Sequence, residues 1–216
     1  MLTTLFLAIG LSLAPGTVAS LASQVPAASR PAVEAGLAAW RHAMEKGAVR
    51  RPEVLTVIDY SRPSTEPRLF VFEMPSGRVA FQELVAHGRG SGENATVHFS
   101  NSPGSRMTSL GVFIAGSTYR GHNGLSMRLE GLEAGFNDAA SERDIVMHGA
   151  AYVNDRTART LGRLGRSWGC PAVRPEIASR LIDTIRDGSL VVAYYPDHDW
   201  LTRSEFLAGT SPAPVR

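Results

Sequence analysis

Runs of apolar residues predict that strands dominate most of the chain. The segments 54–60, 68–74 and 78–86 are rich in β-branched and aromatic residues, which is typical of strands. Pro75, Ser76 and Gly77 lie between the last two segments and indicate a short hairpin turn. We therefore expect an antiparallel meander in this region. Further strands are predicted at 96–99, 111–116, 125–132, 145–147 and 190–195.

Apolar residues at helical spacing are confined to a few segments. They predict a helix over about 31–46 and another that starts at Pro175 and ends near Gly188. Asn154 can cap a short helix over about 155–161. Because these helices do not alternate regularly with the strands, a doubly wound sheet is disfavoured. The pattern predicts a mainly β fold of the α+β class, a mixed β-sandwich with flanking helices.

The two ends of the chain have compositions unlike its middle. The apolar run 1–14 is too short to span a bilayer but has the length of a signal-peptide core, although no Lys or Arg precedes it. We expect a signal peptide over 1–23, a linker over 24–30, one domain over 31–203 and a loose tail over 204–216. A buried N-terminal helix is the alternative for the first segment. The interpretation predicts export without stable membrane insertion.

Charge and motif content exclude several classes of function. The 216 residues carry 22 Lys and Arg against 20 Asp and Glu, a net charge of +2, and the cations are scattered. This distribution argues against nucleic acid as a partner. The histidines are far apart and no metal-binding motif is present, so no metal and no cofactor are predicted. A serine hydrolase motif is also missing. The sequence leaves the oligomeric state open.

The segment 144–173 holds the residues that could perform nucleophilic chemistry. It contains the single cysteine, Cys170, and His148, which follows an apolar run and precedes Gly149. A cysteine attacks carbonyls as its thiolate, so it needs a base or a positive neighbour. His148 is the candidate base, at the end of a predicted strand. A lone cysteine is most often a buried apolar residue, but Ser-Trp-Gly-Cys-Pro is typical of a shaped loop rather than of a core strand.

The residues around Cys170 predict an oxyanion-binding loop. Pro171 has no amide hydrogen, so the donors must come from Trp168, Gly169 or Cys170 itself. Ser167 could hold the turn or orient a substrate. Arg166 could lower the pKa of the thiol or bind a substrate carboxylate.

A glycine-rich segment, 87–94, is a second candidate for substrate contact. It lacks the lysine and the following helix of a nucleotide-binding loop. His87 and Arg89 are candidate substrate-binding residues, and a purely conformational role for the glycines is the alternative.

The pattern of these motifs resembles the catalytic domain of YkuD-type L,D-transpeptidases. That family has a His-Gly segment followed by Ser/Thr-His-Gly-Cys; here His148-Gly149 precedes Ser167-Trp168-Gly169-Cys170. The longer spacer and the tryptophan resemble a divergent branch in which G-R-S-W-G-C-P-A-V is typical. The resemblance extends from about 54 to 196 and includes the segments 84–93, 99–105 and 109–113.

The resemblance implies a mixed β-sandwich and a cysteine acyltransferase that acts on peptidoglycan stem peptides. Cys170 would be the nucleophile and His148 its base, with the Gly149 carbonyl orienting the imidazole. Trp168 would line the substrate groove or serve a packing role. An L,D-carboxypeptidase or endopeptidase that uses the same nucleophile is an alternative, as is a murein-binding module without catalytic activity.

Overall fold

The computed structural model describes residues 15–207. Its strands are β1 Val54–Asp59, β2 Leu69–Glu73, β3 Arg78–Glu83, β4 Gly111–Gly121, β5 Gly124–Gly131, β6 Val146–Gly149, β7 Ala172–Val173 and β8 Leu190–Tyr194. Its helices are α1 Pro15–Ser23, α2 Arg30–Glu45, α3 Asp155–Leu161, α4 Pro175–Ile185 and α5 His198–Arg203, with a 3-10 helix at Ala27–Ser29.

The eight strands form one mixed sheet in the order β3-β2-β1-β8-β4-β5-β6-β7. The pairs β1–β8 and β6–β7 are parallel, and the other neighbours are antiparallel. The predicted meander is present as β1–β2–β3. Beyond β3, the amide of Ala86 donates to the carbonyl of Ala172 in β7 at 2.8 Å. Because β3 and β7 are the two edges of the sheet, this bridge brings it close to a barrel.

Helices cover both faces of the sheet, and the central strands are buried on both sides. In β1, Leu55 and Val57 join the core that contains Trp40 of α2. Ile58, of the opposite parity, joins the core that contains Leu181 of α4. Successive strand residues point to opposite faces, which explains the alternation. The predicted mainly β fold with flanking helices is confirmed.

Packed structure extends on both sides of the predicted domain 31–203. Leu21 and Ala22, within the predicted signal peptide, are buried, as is Val25 in the predicted linker. Ser204 and Phe206 are buried although 204–216 is predicted to be loose. Residues 1–14 and 208–216, which hold the rest of those predicted segments, lie outside the described part. Over 15–207, no helix has the length and apolar character needed to span a membrane.

Candidate functional site

Strand β6 presents His148 at its end, as the apolar run before it predicts. His148 pairs with Ser126 of β5 on one side and with Ala172 of β7 on the other. The residue is 5% exposed, and its ring Nδ1 lies 3.0 Å from the carbonyl oxygen of Gly149. This contact makes Nδ1 the protonated nitrogen, so Nε2 is the one that can accept a proton. Burial lowers the pKa of His148, with the Gly149 contact opposing it, so the ring is neutral at neutral pH.

Cys170 lies beside the same strand. Its Sγ is 3.5 Å from the amide nitrogen of Val146, which donates, and 3.6 Å from the carbonyl oxygen of Asp144, which accepts. The residue is half-buried, so the sulfur is not sealed in the core. Since His148 is opposite Ala172, Cys170 precedes that partner by two residues on the neighbouring segment. The fold therefore brings the two predicted catalytic side chains to adjacent segments at one end of the sheet.

The electrostatic environment favours a neutral thiol in the resting site. Burial raises the pKa of Cys170, whereas the Val146 amide and the positive charge of Arg143 lower it and the charge of Asp144 raises it. A thiol with a raised pKa and an imidazole with a lowered pKa are both favoured in their neutral forms. Such a pair suits proton transfer during attack more than a preformed thiolate.

Ser167 holds the turn that leads to Cys170. Its hydroxyl donates to the carbonyl oxygen of Cys170 at 2.6 Å and accepts from the amide of Gly169 at 3.1 Å. The side chain is 6% exposed, so it is enclosed by the loop. Of the two roles considered for Ser167, these contacts favour holding the turn. They also occupy the Gly169 amide, which leaves those of Trp168 and Cys170 as the candidates for binding an oxyanion.

The glycine-rich segment packs directly against this turn. Gly88 forms a bridge with Ser167, and its amide donates to the hydroxyl of Thr108 at 3.0 Å. A Cβ at Gly88 would lie 2.4 Å from the carbonyl oxygen of Arg106 and 3.0 Å from the Cα of Gly169. No side chain fits such a gap, so glycine is required for close approach of three backbone segments. The conformational role proposed for the glycines is supported.

The candidate substrate-binding residues occupy three different environments. His87 is 1% exposed and has no open face toward a substrate; its Nδ1 accepts from Nη2 of Arg68 at 2.8 Å. Burial, together with the charge of Arg68, lowers the pKa of His87 to about 4. Arg166 is tied to the carboxylate of Glu93 at 2.6 Å. Arg89 is exposed, and its amide donates to the Ser167 carbonyl at 2.8 Å, which places it at the rim of the site.

Trp168 projects from the turn into solvent and is 69% exposed. The guanidinium of Arg106 lies 4.9 Å from the centre of its ring, within the range of a cation–π contact. Arg106 has a positive φ of 56° and was not identified from the sequence. An exposed indole two residues before Cys170 is more consistent with the groove-lining role than with the packing role.

Arg143 is a further site residue that sequence reasoning missed. It precedes β6, and its positive charge lowers the pKa of Cys170. Neither arginine lies in a recognisable motif, and only the proximity of Arg143 to His148 along the chain could have drawn attention to it. Within the part of the chain that the structure covers, no three His, Cys, Asp or Glu side chains form a group that could hold a metal ion.

The chain was compared with protein-family models, curated proteins and solved structures. A family model described as the L,D-transpeptidase catalytic domain matches residues 25–194. The solved structure of an L,D-transpeptidase from Mycobacterium smegmatis has a TM-score of 0.40 and 16% identity, covering 66% of this chain and 59% of that one. The helical cell shape determining protein Pgp2 from Campylobacter jejuni has a TM-score of 0.36 and 12% identity, covering 65% and 43%. No curated protein matches the chain.

The structural similarities are distant, and the shared regions are partial. This chain spans less than two thirds of the Mycobacterium smegmatis protein, at 59% of its length. An L,D-transpeptidase from Xylanimonas cellulosilytica has a TM-score of 0.35 and 16% identity, covering 63% of this chain and 58% of that one. The family assignment accordingly depends on the family model.

Proposed function

The chain belongs to the family of L,D-transpeptidase catalytic domains, and on that premise we propose that it is a cysteine acyltransferase acting on peptidoglycan stem peptides. The observation that carries the proposal is the sulfur of Cys170 resting on the backbone of residues 144–146, which lead into His148. The imidazole is oriented by the Gly149 carbonyl, which leaves Nε2 free to act as the base.

The first half-reaction forms a thioester. His148 Nε2 takes the proton from Cys170 Sγ while the sulfur attacks the peptide carbonyl after the third residue of a stem tetrapeptide. The amides of Trp168 and Cys170 stabilise the resulting oxyanion. When the intermediate collapses, the carbon–nitrogen bond breaks and His148 returns the proton to the departing terminal D-amino acid. The acyl group is then bound to Cys170.

The second half-reaction releases the acyl group. An amine of a second stem peptide attacks the thioester, and His148 takes its proton. The carbon–sulfur bond breaks, the new amide forms and the sulfur is reprotonated from His148. The product is a cross-link between two stems, or a stem with an exchanged terminal residue when the amine is a free D-amino acid. Because the substrate lies outside the cytoplasmic membrane, the proposal includes export to the periplasm or cell envelope. The signal peptide would then end before Leu21 and Ala22, because both side chains are buried in the folded protein.

Muropeptide turnover tests the proposal directly. The purified protein is incubated with tetrapeptide muropeptides and the products are followed by mass spectrometry. We expect cross-linked dimers from the wild type and none from Cys170→Ala. His148→Gln should lose about 10²-fold or more, the usual contribution of a general base. His122→Gln is the matched control, because His122 is exposed in the turn between β4 and β5.

The pattern of products also decides between chemistries. Tripeptide monomers without dimers would replace transpeptidation by carboxypeptidase action at the same nucleophile. Activity retained in Cys170→Ala would refute the assigned nucleophile. Inactive protein that still binds murein would favour the binding module. Imipenem, which a solved structure records in complex with LdtMt1, provides an independent probe. An adduct that forms on the intact wild-type protein and is lost in Cys170→Ala would report a reactive thiol at the single cysteine.

A further inference from the structure

Arg143 forms hydrogen bonds that hold a long loop against the candidate active site. Its Nη1 donates to the carbonyl oxygen of Ser100 at 2.6 Å and to the hydroxyl of Ser109. Its Nη2 donates to the hydroxyl of Ser105 at 3.1 Å and to the carbonyl oxygen of Met107 at 2.6 Å. One guanidinium thus binds both ends and the middle of the segment 100–109. The planar arrangement of five donors is what makes arginine suited to such a contact.

This loop presses against the residue next to the nucleophile. A Cβ on Gly169 would lie 2.8 Å from the carbonyl oxygen of Met107 and 3.4 Å from Nη2 of Arg143 itself. The guanidinium therefore lies beside the backbone that immediately precedes Cys170. From the other side, the sulfur contacts Asp144 and Val146, which follow Arg143 in the chain. Arg143 adjoins the nucleophile both in sequence and across the fold.

The charge of Arg143 is not compensated by its hydrogen-bond partners. All four are neutral, being two carbonyl oxygens and two hydroxyls. Arg166, which the sequence offers as the cation for the thiol, instead pairs with the Glu93 carboxylate at 2.6 Å. A paired charge has a weak field at a distance, whereas an unpaired and partly buried one acts strongly on its neighbours. Arg143 is consequently the cation whose charge acts on the sulfur of Cys170.

We propose that Arg143 is a positioning residue that holds the loop 100–109 against Gly169 and stabilises the thiolate of Cys170 by its unpaired positive charge. The catalytic consequence rests on the proposed function, because a thioester-forming enzyme must develop negative charge on this sulfur or transfer its proton. The ionisation of the thiol itself does not depend on what the substrate is.

Several other ionisable groups face the sulfur, and they define the background against which Arg143 acts. Asp144 opposes ionisation by its negative charge, and burial opposes it more strongly. Removing the positive charge of Arg143 leaves these opposing effects and should raise the pKa of the thiol further. The titratable groups near Cys170 are Arg143, Asp144, His148, Tyr60 and Tyr152.

Alkylation of the single cysteine measures this ionisation without any substrate. The rate of iodoacetamide addition, followed by intact mass from about pH 6 to about pH 10, reports the thiolate fraction. We expect Arg143→Gln to react about tenfold more slowly at neutral pH, with its profile displaced to higher pH, since a nearby cation lowers such a pKa by about one unit or more. Arg180→Gln is the control, because Arg180 is exposed on α4.

Arg143→Lys separates the charge from the hydrogen bonds. Lysine keeps the positive charge but has a compact ammonium that cannot reach all four acceptors. Its alkylation profile should stay within about threefold of the wild type, because a retained charge preserves most of the effect on the thiol pKa. Circular dichroism establishes whether each variant is folded.

Two results would overturn the inference. One is an Arg143→Gln profile that matches the wild type. The other is a loss in Arg143→Lys as large as that in Arg143→Gln, because the charge would then not be the cause. A wild-type protein that is inert toward muropeptides but shows the expected alkylation profiles would instead contradict the proposed function and leave the role of Arg143 intact.

Discussion

Replacing Gly169 by alanine should lower the free energy of unfolding for two reasons: the backbone conformation is unfavourable for any residue with a side chain, and the added methyl group would clash with its neighbours. Gly169 has a φ of +133°, a region that residues with a side chain rarely occupy, and holding one there costs about 1–3 kcal/mol. The added methyl would also lie 2.8 Å from the Met107 carbonyl oxygen and 2.9 Å from Cδ1 of Ile145. Overpacking of this kind costs about 1–3 kcal/mol, so the expected total is about 2–6 kcal/mol.

Gly162→Ala is the matched control for the backbone contribution. Gly162 has a φ of 64° and ψ of 13° at the end of α3, and no atom lies within 4 Å of the position that a Cβ would take. Its replacement should cost about 1–2 kcal/mol, the price of left-handed backbone alone. Urea unfolding followed by circular dichroism gives both free energies of unfolding. If the two variants lose equal stability, the close packing of the loop 100–109 on Gly169 is not as described.

Two further substitutions test the role of Trp168 in substrate binding and the role of Arg68 in stability. Trp168→Ala should raise the KM for muropeptides about tenfold, a loss of about 1.4 kcal/mol of binding, while the exposed Leu161→Ala leaves it unchanged; equal KM values would remove Trp168 from the groove. Arg68→Met should lower the free energy of unfolding by about 2–6 kcal/mol, because it strips buried partners such as the Val85 carbonyl of their donor. Arg78→Met, at an exposed ion pair, should change it by less than about 1 kcal/mol, and a similar loss in both would show that burial of Arg68 is not decisive.

The sequence predicted correctly the elements that depend on neighbouring residues, such as a helix with a capping side chain and a hairpin with a short turn. Helix α3 occupies Asp155–Leu161 because the Asn154 side chain accepts from the amide of Thr157 at 2.7 Å, as the capping signal indicated. The meander follows from runs of β-branched and aromatic residues and a turn at Pro75–Gly77. The predicted strand at 96–99 is wrong, because the amides of Val97 and His98 donate to the carbonyl of Ser91 instead of to a neighbouring strand.

Contacts between segments that are far apart in sequence could not be predicted. His87 follows a strand and lies among glycines, which suggested contact with a substrate, but it is buried and its ring accepts from the buried guanidinium of Arg68. The sequence does not show which arginine carries an unpaired charge. In the structure, Arg166 pairs with the Glu93 carboxylate, whereas Arg143 donates to neutral acceptors. The motif around Cys170 thus predicted a nucleophile and a base, whereas only the fold showed which arginine lies beside the sulfur.

The geometry of the site depends on the closure of the sheet. His148 lies on the segment next to Cys170 because it pairs with Ala172, and β7, which provides that pairing, contains only two residues. So short a strand has few hydrogen bonds to fix its register, and a shift of β7 by one residue would turn its own side chains to the opposite face. The bridge from Ala86 to Ala172 holds β7 from its other side. Closing the sheet and aligning the proposed base with the proposed nucleophile therefore depend on the same contacts, and the glycine-rich segment that follows Ala86 packs against the turn before Cys170.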